Sequence, residues 1–372
     1  MSQISLWTIP DDRRIDVHEH MSVTQLKLKI GQRYCYDSSC KRGSGFIAAH
    51  VLDLLLKRGH TVVTTVRSDE KASKIRNAFG FYVQSGLLDF RIVQDIAQPG
   101  AFDEALKTEG LEVVIHTASP FQLNVEDVKK DLLDPAINGT KGVLESIKKY
   151  APSVRKVIIT SSFAAIIDVN KAVDDPSITY TEKSWNPVTE AQALESPSLG
   201  YRASKTFAER AAWEFIEKEK PNFTISTVNP PIVYGPILYY HNSHDKLNTS
   251  NSFIYDIMSG KRKEDTLNIR PTLWVDVRDV ALAHIKAFEL EEAAGQRLFV
   301  TAGLKSDRDI ADVIRKNFPD LVAKLPNLDT TQPSADIYNY DNSITIGIIG
   351  PTQYSFEQSI EDTVRSLQSL VA

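Results

Sequence analysis

From about residue 46 onward, the sequence alternates apolar helical segments with short runs of β-branched residues. Residues 46–57 have the pattern of an apolar helix, Gly59 and His60 mark its end, and residues 61–66 have the composition of a strand that is buried on both faces. This alternation, with short turns, is typical of a parallel sheet covered by helices. The pattern therefore predicts an α/β fold with a doubly wound parallel sheet.

The alternation continues to about residue 229. The further segments that we predict are helices at 69–79, 101–108, 125–149 and 201–219, and strands at 90–93, 113–117, 156–161 and 224–228. Beyond them the spacing loosens, and Pro and Asn become frequent. We therefore predict a Rossmann-type nucleotide-binding domain over residues 41–229, followed over 230–372 mainly by a smaller, mixed substrate-binding lobe with some return to the sheet.

Residues 1–40 form an atypical N-terminal segment. Residues 34–41 stand where a central, strongly apolar first strand should lie, and they are too polar for that place. Residues 26–30 alternate apolar side chains with lysines and would form a half-exposed strand instead. Two explanations are open: a misplaced exon boundary, or a genuine variant of the fold. The intact pattern downstream favours the first explanation.

Composition and charge exclude several classes of function. The 372-residue chain has a net charge of -5 and a sequence pI near 6.0, so it offers no basic face to nucleic acid. The two cysteines, Cys35 and Cys40, lack a second pair and regularly spaced histidines, so we expect free thiols and no metal site. The first residues lack the apolar stretch of a secretory signal, and no apolar run has membrane-spanning length, so we expect neither a signal peptide nor a membrane span. We expect a cytoplasmic protein with no membrane or nucleic-acid partner.

Tyr201 and Lys205 are four residues apart in a helical pattern, so they point to one face of the predicted helix. A phenol has a pKa near 10, and a nearby cation favours the phenolate that acid or base chemistry near neutral pH requires. Lowering that pKa to 7 corresponds to about 4 kcal/mol, more than one exposed ammonium provides. A charged nicotinamide would supply the rest, in a partly buried site where its attraction for the phenolate is stronger than in water. Among 13 tyrosines such a motif arises about once by chance, so its weight comes from its position.

The position of the Tyr201–Lys205 motif is significant because the motif follows a strand that ends in two serines. The helix with Tyr201 follows a strand that ends in Ser161 and Ser162, about forty residues upstream. The carboxyl ends of parallel strands form the edge at which such sheets bind ligands. The serines are therefore candidates for hydrogen bonding to a substrate, and the alternative interpretation is a turn or helix cap.

Arg67 directly follows the second strand of the pattern. At this place an acid would bind the ribose 2′-hydroxyl of NAD, whereas an arginine would accept the 2′-phosphate of NADP, and no acid stands at the strand end. Lys71, four residues on, shares a helical face with Arg67 and adds a second positive charge. The pair favours NADPH, and the alternative is two solvated surface charges.

The glycine turn before the first helix fits the dinucleotide pattern poorly. That turn requires Gly-x-x-Gly-x-x-Gly or Ala after a strand. Read back from Gly45 and Ala48, the first glycine position is Arg42, and Gly43 lies one residue late. An arginine cannot adopt a turn with positive φ as readily as glycine, so a genuine variant would bind the cofactor more weakly.

Eight short motifs occur in an order that resembles the extended short-chain dehydrogenase/reductases. They are Gly-Phe-Ile-Ala at 45–48, Val-Arg-Ser at 66–68, His-Thr-Ala-Ser-Pro at 116–120, Asn-Gly-Thr at 138–140, Thr-Ser-Ser at 160–162, Tyr-x-x-x-Lys at 201–205, Asn-Pro at 229–230 and Trp-Val-Asp-Val-Arg-Asp-Val-Ala at 274–281. Within that superfamily the chain is most similar to fungal methylglyoxal and aldehyde reductases and to plant dihydroflavonol reductases. The resemblance covers about residues 43 to 370.

The resemblance implies roles for individual residues. Tyr201 would protonate the carbonyl oxygen, Lys205 would hold the ribose hydroxyls and tune Tyr201, and Ser162, in preference to Ser161, would hydrogen-bond that oxygen. The cofactor-binding residues that it implies are Gly43, Gly45, Phe46, Ile47, Arg67, Lys71, Asp95, Ile96, Thr117, Ala118, Tyr201, Lys205, Pro230 and Val233.

The motifs together indicate an NADP-dependent oxidoreductase that acts on CH–OH or C=O groups. We expect a ketoreductase or carbonyl reductase that uses NADPH/NADP+ to reduce a ketone or aldehyde on a small, hydrophobic metabolite, as in secondary metabolism. Two alternatives are open: a nucleotide-sugar epimerase or dehydratase that retains NAD, and a cofactor-poor pseudo-enzyme with a binding or regulatory role. A monomer and a homodimer are equally compatible with the sequence.

Overall fold

Strands and helices alternate along the chain, as the hydrophobic pattern predicts. This computed structural model describes residues 33–37 (backbone), 45–118, 125–238, 247–262, 267–326 and 336–370. The strands are β1 (Arg33–Asp37), β2 (Thr61–Val66), β3 (Leu88–Ile92), β4 (Leu111–His116), β5 (Lys156–Thr160), β6 (Thr179–Thr181), β7 (Thr224–Val228), β8 (Ile232–Tyr234), β9 (Thr272–Asp276), β10 (Arg297–Leu298), β11 (Gly303–Lys305) and β12 (Asn339–Asp341). The α-helices are α1 (Gly45–Lys57), α2 (Asp69–Ala78), α3 (Gly80–Gln84), α4 (Asp103–Leu106), α5 (Asp134–Tyr150), α6 (Glu190–Ala193), α7 (Pro197–Glu219), α8 (Thr249–Met258), α9 (Val277–Glu289), α10 (Asp307–Asn317), α11 (Ser343–Ile349) and α12 (Phe356–Gln368).

The main sheet of the described residues has seven strands in the order β10-β7-β5-β4-β1-β2-β3, and each strand pairs in parallel with its neighbours. Helices α1 and α9 pack together on one face, and α5 and α7 on the other. The predicted doubly wound, Rossmann-type α/β fold is therefore confirmed. The chain reverses direction across the sheet between β1 and β4, which in open sheets of this kind creates a crevice at the carboxyl ends of the strands.

Strand β1 corrects one expectation from the sequence. Residues 34–41 look too polar for a central strand, yet the backbone of Arg33–Asp37 lies between β2 and β4, with Cys35 opposite Val63 and Val114. The expectation is wrong for these residues because ladder pairing is a property of the backbone: the facing edges of β2 and β4 present donors and acceptors that require a partner whatever its side chains. The alternative strand at 26–30 lies outside the described residues.

A helix predicted at 125–149 begins differently from the pattern. A π-helical segment, Lys129–Leu133, leads into α5. Pro135 lies in the first turn of α5 and has no amide hydrogen for the helical ladder, so the α-helical register starts there.

The C-terminal part of the chain forms a second, smaller core. Strand β9 pairs in parallel with β8 and antiparallel with β11, so this sheet is mixed. Side chains of α8, α10 and α12 cover it, among them the fully buried Ile254, Ile314 and Ile360. Strand β10 instead joins the edge of the main sheet beside β7. The domain limits at 40 and 229 remain predictions.

The central position of β1 can be tested with a proline. We expect Cys35→Pro to lower the free energy of unfolding by at least about 2 kcal/mol, because it removes an amide donor between two strands and leaves a carbonyl without its partner. Chemical denaturation measures the change. Cys35→Val, which keeps the amide, serves as the control, and a proline variant as stable as the wild type would contradict this place for β1.

Candidate functional site

The chain turns sharply after β5, and two adjacent serines at this turn have different surroundings. Ser161 is buried, and its hydroxyl donates a hydrogen bond to Oε2 of Glu209. Ser162 is half-buried and caps the 3₁₀ turn Phe163–Ala165, where its Oγ accepts from the backbone N of Ala164 at 3.1 Å. That contact uses a lone pair of the oxygen, so the hydroxyl hydrogen of Ser162 can still be donated to a ligand. The cap interpretation and the ligand-binding interpretation are therefore compatible at Ser162.

Helix α7 carries Tyr201 and Lys205, and it begins at Pro197, before the predicted start at residue 201. Ser196 caps the helix, because its Oγ accepts from the backbone N of Leu199 at 3.2 Å, and proline is well suited to the first turn. Tyr201 and Lys205 are both half-buried. They lie one turn into an established helix, which fixes their spacing on one face.

Gly200, immediately before Tyr201, lets α7 approach the segment that precedes α5. A Cβ atom at Gly200 would lie 2.4 Å from Cγ1 of Val128 and 3.2 Å from the carbonyl oxygen of Ala193. Only glycine permits this approach, so the N-terminal end of α7 has a defined place against its neighbours.

The turn after Ser162 contacts four other parts of the chain. The backbone N of Phe163 donates to the carbonyl of Pro230 at 2.9 Å, and Nδ2 of Asn186 donates to the carbonyl of Ala164, also at 2.9 Å. The ring of Phe163 stacks on Phe299 with a centroid distance of 5.2 Å. Helix α7 also packs against this turn. The turn of Ser162 therefore lies beside Pro230 and helix α7, which carries Tyr201 and Lys205, at the carboxyl edge of the sheet.

Arg67 and Lys71 lie together at the carboxyl end of β2. Arg67 is half-buried and directly follows the strand, and Ser68 caps α2 by accepting from the backbone N of Lys71 at 3.4 Å. Lys71 is half-buried in the first turn of that helix. Two cations at a helix N-terminus suit a phosphate, whose charge the helix dipole also favours.

Four further predicted residues follow β3 and β4 at the same edge. Asp95 is exposed, and its carboxylate accepts from the backbone N of Ala97 and from Nε2 of Gln98, each at 3.0 Å. Ile96 is buried, and Gly139 of α5 lies so close that a Cβ there would be 3.2 Å from Cδ1 of Ile96. Thr117 is half-buried and Ala118 is buried, directly after β4.

The remaining predicted residues lie in or next to the first helix and β8. Helix α1 begins at the half-buried Gly45, Phe46 points into the core, and Ile47 is half-buried. Val233 is half-buried in β8, and its carbonyl accepts from Oγ of Ser250 at 2.5 Å. Gly43 lies outside the described residues.

Two buried contacts at the end of β5 were not predicted from the sequence. Oγ1 of Thr160 lies 2.6 Å from Nε2 of His284 in α9, and Nδ1 of His284 lies 2.7 Å from the carbonyl of Val280. Because a carbonyl only accepts, Nδ1 carries the proton, and the neutral ring accepts from Thr160 at Nε2. Complete burial lowers the pKa of His284 from 6.5 to about 4. The second contact is that of Ser161 with Glu209. The sequence contains one sign of it: Glu209 follows Lys205 by four residues, so the two lie on the same side of the helix.

Over the described part of the chain, no group of three His, Cys, Asp or Glu side chains is arranged to hold a metal ion. No helix there is long and apolar enough to span a membrane.

Comparisons with known proteins bear on the family and the fold of this chain. Residues 43–302 match the model of the NAD dependent epimerase/dehydratase family. The chain is 43% identical over 333 residues to a putative NADPH-dependent methylglyoxal reductase of Candida albicans, covering 87% of this chain and 96% of that protein. It is 44% identical over 328 residues to the ketoreductase azaE of Aspergillus niger, covering 87% and 95%. Its fold is similar to the crystal structure of yeast methylglyoxal/isovaleraldehyde reductase Gre2 complexed with NADPH, with a TM-score of 0.81, 36% identity, and coverage of 90% of this chain and 98% of that one.

The buried His284 predicts acid sensitivity. Its pKa is lower in the folded protein than in the unfolded chain, so its contribution to stability is complete above about pH 6.5 and is lost as the pH falls towards 4. The loss amounts to about 3 kcal/mol. We expect denaturation curves of His284→Gln to show a smaller dependence on pH between 6.5 and 4 than those of the wild type.

His60→Gln is the matched control for this experiment. Burial also lowers the pKa of His60, but this ring is only partly buried, so its replacement should change the pH dependence less. An unchanged pH dependence in His284→Gln would contradict the neutral, buried state of this histidine.

Proposed function

Since the chain belongs to the extended short-chain dehydrogenase/reductases of the NAD dependent epimerase/dehydratase family, we propose that it is an NADPH-dependent carbonyl reductase. Its substrate is a ketone or aldehyde on a small, hydrophobic metabolite. The observation that carries the proposal is the packing of the Ser162 turn against α7, the helix of Tyr201 and Lys205. At this turn Ser161 is engaged by Glu209, while the hydroxyl hydrogen of Ser162 can be donated to a ligand.

Tyr201 acts as the general acid. Its phenol donates a proton to the carbonyl oxygen as negative charge develops there, and the ammonium of Lys205 on the same helical face stabilises the phenolate that remains. Ser162 donates a hydrogen bond to the same oxygen, which orients the carbonyl and stabilises the developing charge.

The residues at the edge of the sheet suit NADPH. Arg67 and Lys71 would hold the 2′-phosphate, and no carboxylate ends β2 to repel it.

Asp95 and Ile96 would flank the adenine, Thr117 and Ala118 would line the path of the cofactor, and Gly45 to Ile47 would lie beneath its phosphates. Pro230 and Val233 would border the nicotinamide, and Lys205 would hold the ribose. When bound, the nicotinamide supplies a hydride to the carbonyl carbon.

The comparisons favour a reductase over an epimerase or dehydratase. The relatives at 43% and 44% identity are described as an NADPH-dependent methylglyoxal reductase and a ketoreductase, and the solved reductase with a TM-score of 0.81 is complexed with NADPH. The basic pair Arg67 and Lys71 agrees with that cofactor. The cytoplasmic location stays a prediction, and both a monomer and a homodimer stay open.

The reductase proposal is tested by following NADPH consumption with a panel of 2-oxoaldehydes, aliphatic and aromatic aldehydes, and ketones. We expect at least one carbonyl class to be reduced, and Tyr201→Phe to lower kcat by about 10²- to 10⁴-fold because the general acid is lost. Tyr150→Phe is the matched control. Tyr150 is the last residue of α5, a different helix from that of Tyr201, so this variant should keep wild-type activity. Bound NAD in stoichiometric amount after denaturation, with no carbonyl reduced, would support the epimerase alternative instead.

The cofactor assignment is tested separately. We expect Arg67→Ala combined with Lys71→Ala to lower kcat/KM for NADPH by about 10- to 100-fold, because two charged hydrogen bonds to the 2′-phosphate are lost, and to leave kcat/KM for NADH nearly unchanged. Lys74→Ala is the control on the same helix, since Lys74 pairs with Glu70 at 2.9 Å. An equal loss with both cofactors would contradict binding of the 2′-phosphate by this pair.

A further inference from the structure

A buried carboxylate lies on the helix that carries the proposed proton donor. Glu209 is four residues after Lys205 and eight after Tyr201, so all three side chains lie along one side of α7. Whereas Tyr201 and Lys205 are half-buried, Glu209 is 1% exposed and points to the carboxyl ends of β5 and β7. In the proposed function Tyr201 acts on the substrate and Lys205 acts on Tyr201 and on the cofactor, but Glu209 is too deeply buried to reach either ligand.

Hydrogen-bond donors at the ends of β5 and β7, in β10 and in α7 itself surround this carboxylate. At Oε2 they are the hydroxyl of Ser161 and, at 2.7 Å, Nδ2 of Asn229. At Oε1 they are Nε of Arg297 at 2.5 Å, Nε1 of Trp213 at 3.4 Å and Oγ1 of Thr227 at 3.2 Å. The single hydroxyl hydrogen of Thr227 is shared with Oδ1 of Asn229, which is closer at 2.7 Å. Every partner is a donor, so only a group whose two oxygens both accept satisfies them all. A glutamine at this position would turn its NH₂ group towards either the donors around Oε1 or the donors around Oε2, and those donors would lose their acceptor.

The charge of Glu209 has a buried partner. The side chain of Arg297 is 9% exposed, lies 3.8 Å from the ring centroid of Trp185, and donates through Nη1 to the carbonyls of Glu182 and Ser184. Its Nη2 donates to the carbonyl of Ala165 at 3.3 Å. A buried ion pair is tolerated when further hydrogen bonds satisfy both members, and that condition is met here. Arg297 thereby connects Glu209 to the far end of the turn that Ser162 caps.

Hydrogen bonds through Ser161 and Asn229 join this carboxylate to the backbone of Ser162. Ser161, which donates to Glu209, is the adjacent residue, and its backbone N donates to the carbonyl of Val228 at 2.8 Å. Nδ2 of Asn229 donates both to Glu209 and, at 3.3 Å, to the carbonyl of Ser162. The position of Ser162 relative to α7 therefore depends on groups that Glu209 holds.

We propose that Glu209 is a positioning residue: through Ser161, Asn229 and Arg297 it holds the turn of Ser162 at a fixed distance from Tyr201 and Lys205. The proposal rests on the proposed function, because it takes Ser162 and Tyr201 to act on the same carbonyl oxygen. A displacement of Ser162 from α7 would separate two groups that must reach one atom, and catalysis is sensitive to displacements of this kind.

A double-mutant cycle with Ser162 tests the proposal. We expect Glu209→Gln to lower kcat about tenfold and Ser162→Ala about a hundredfold, while the Kd for NADPH stays within about twofold. Because Glu209 acts through Ser162, the double variant should be about as active as Ser162→Ala alone. Effects that multiply to about a thousandfold, at a temperature where all variants are folded, would overturn the proposal in favour of a purely structural role.

Glu214→Gln is the matched control. It is the same substitution on the same helix, but Glu214 is exposed and pairs with Lys218 at 3.4 Å, so kcat should stay at the wild-type value. If Glu209→Gln does not fold, Ser161→Ala removes one donor and leaves Arg297 paired. Its expected loss of about threefold should vanish in the Ser162→Ala background, and a persistent loss would overturn the proposal.

Amide hydrogen exchange provides a readout that does not depend on activity. In Glu209→Gln, or in Ser161→Ala if that variant replaces it, we expect the amides of Phe163 and Ala165 to exchange about tenfold faster than in the wild type, while that of Ile158 in β5 keeps its rate. Unchanged exchange in the turn, or equal acceleration everywhere, would overturn the positioning role. Failure of the wild type to reduce any carbonyl would instead refute the proposed function, so the two failures are distinguishable.

Discussion

The common direction of the seven strands is the constraint on which the rest of the structure depends. Because β2, β3, β4, β5 and β7 are parallel, the residues that follow them all emerge at one edge of the sheet. Residues far apart in sequence, such as Arg67 after β2 and Ser162 after β5, therefore share that edge. The edge is also where the backbone leaves its ladder and its polar groups become available to side chains and ligands.

The candidate site combines this edge with helices that are fixed independently of it. Ser196 and Pro197 start α7 before Tyr201, and Gly200 allows its close approach to Val128, so the spacing of Tyr201 and Lys205 does not depend on the sheet. Buried polar contacts then connect helix and sheet: Glu209 reaches the end of β5 from one face, and His284 reaches Thr160 from the other. Such contacts are costly to bury unless they are satisfied, and these place polar side chains close to the half-buried serine.

Helix and strand periodicities made much of this site predictable. The spacing of Tyr201 and Lys205, and that of Arg67 and Lys71, is a local property of the helix and the strand end that carry them. The alternation of apolar segments likewise predicted β5 at 156–161, where the strand is Lys156–Thr160, and it identified the fold as doubly wound. The place of β1 was not predictable in this way, because its central position follows from the open backbone groups of β2 and β4 and not from its own side chains.

The sequence by itself thus determined the order of the elements and the chemistry at each strand end, because short-range periodicity fixes both. The family resemblance preferred Ser162 to Ser161, but only the tertiary structure supplied the physical reason, since the burial of Ser161 and the cap at Ser162 depend on how α7 packs against β5. The same holds for the partner of Glu209, because Arg297 is 88 residues away along the chain. A hydrogen bond across such a separation depends on the packing of whole elements, and no local pattern of residues specifies it.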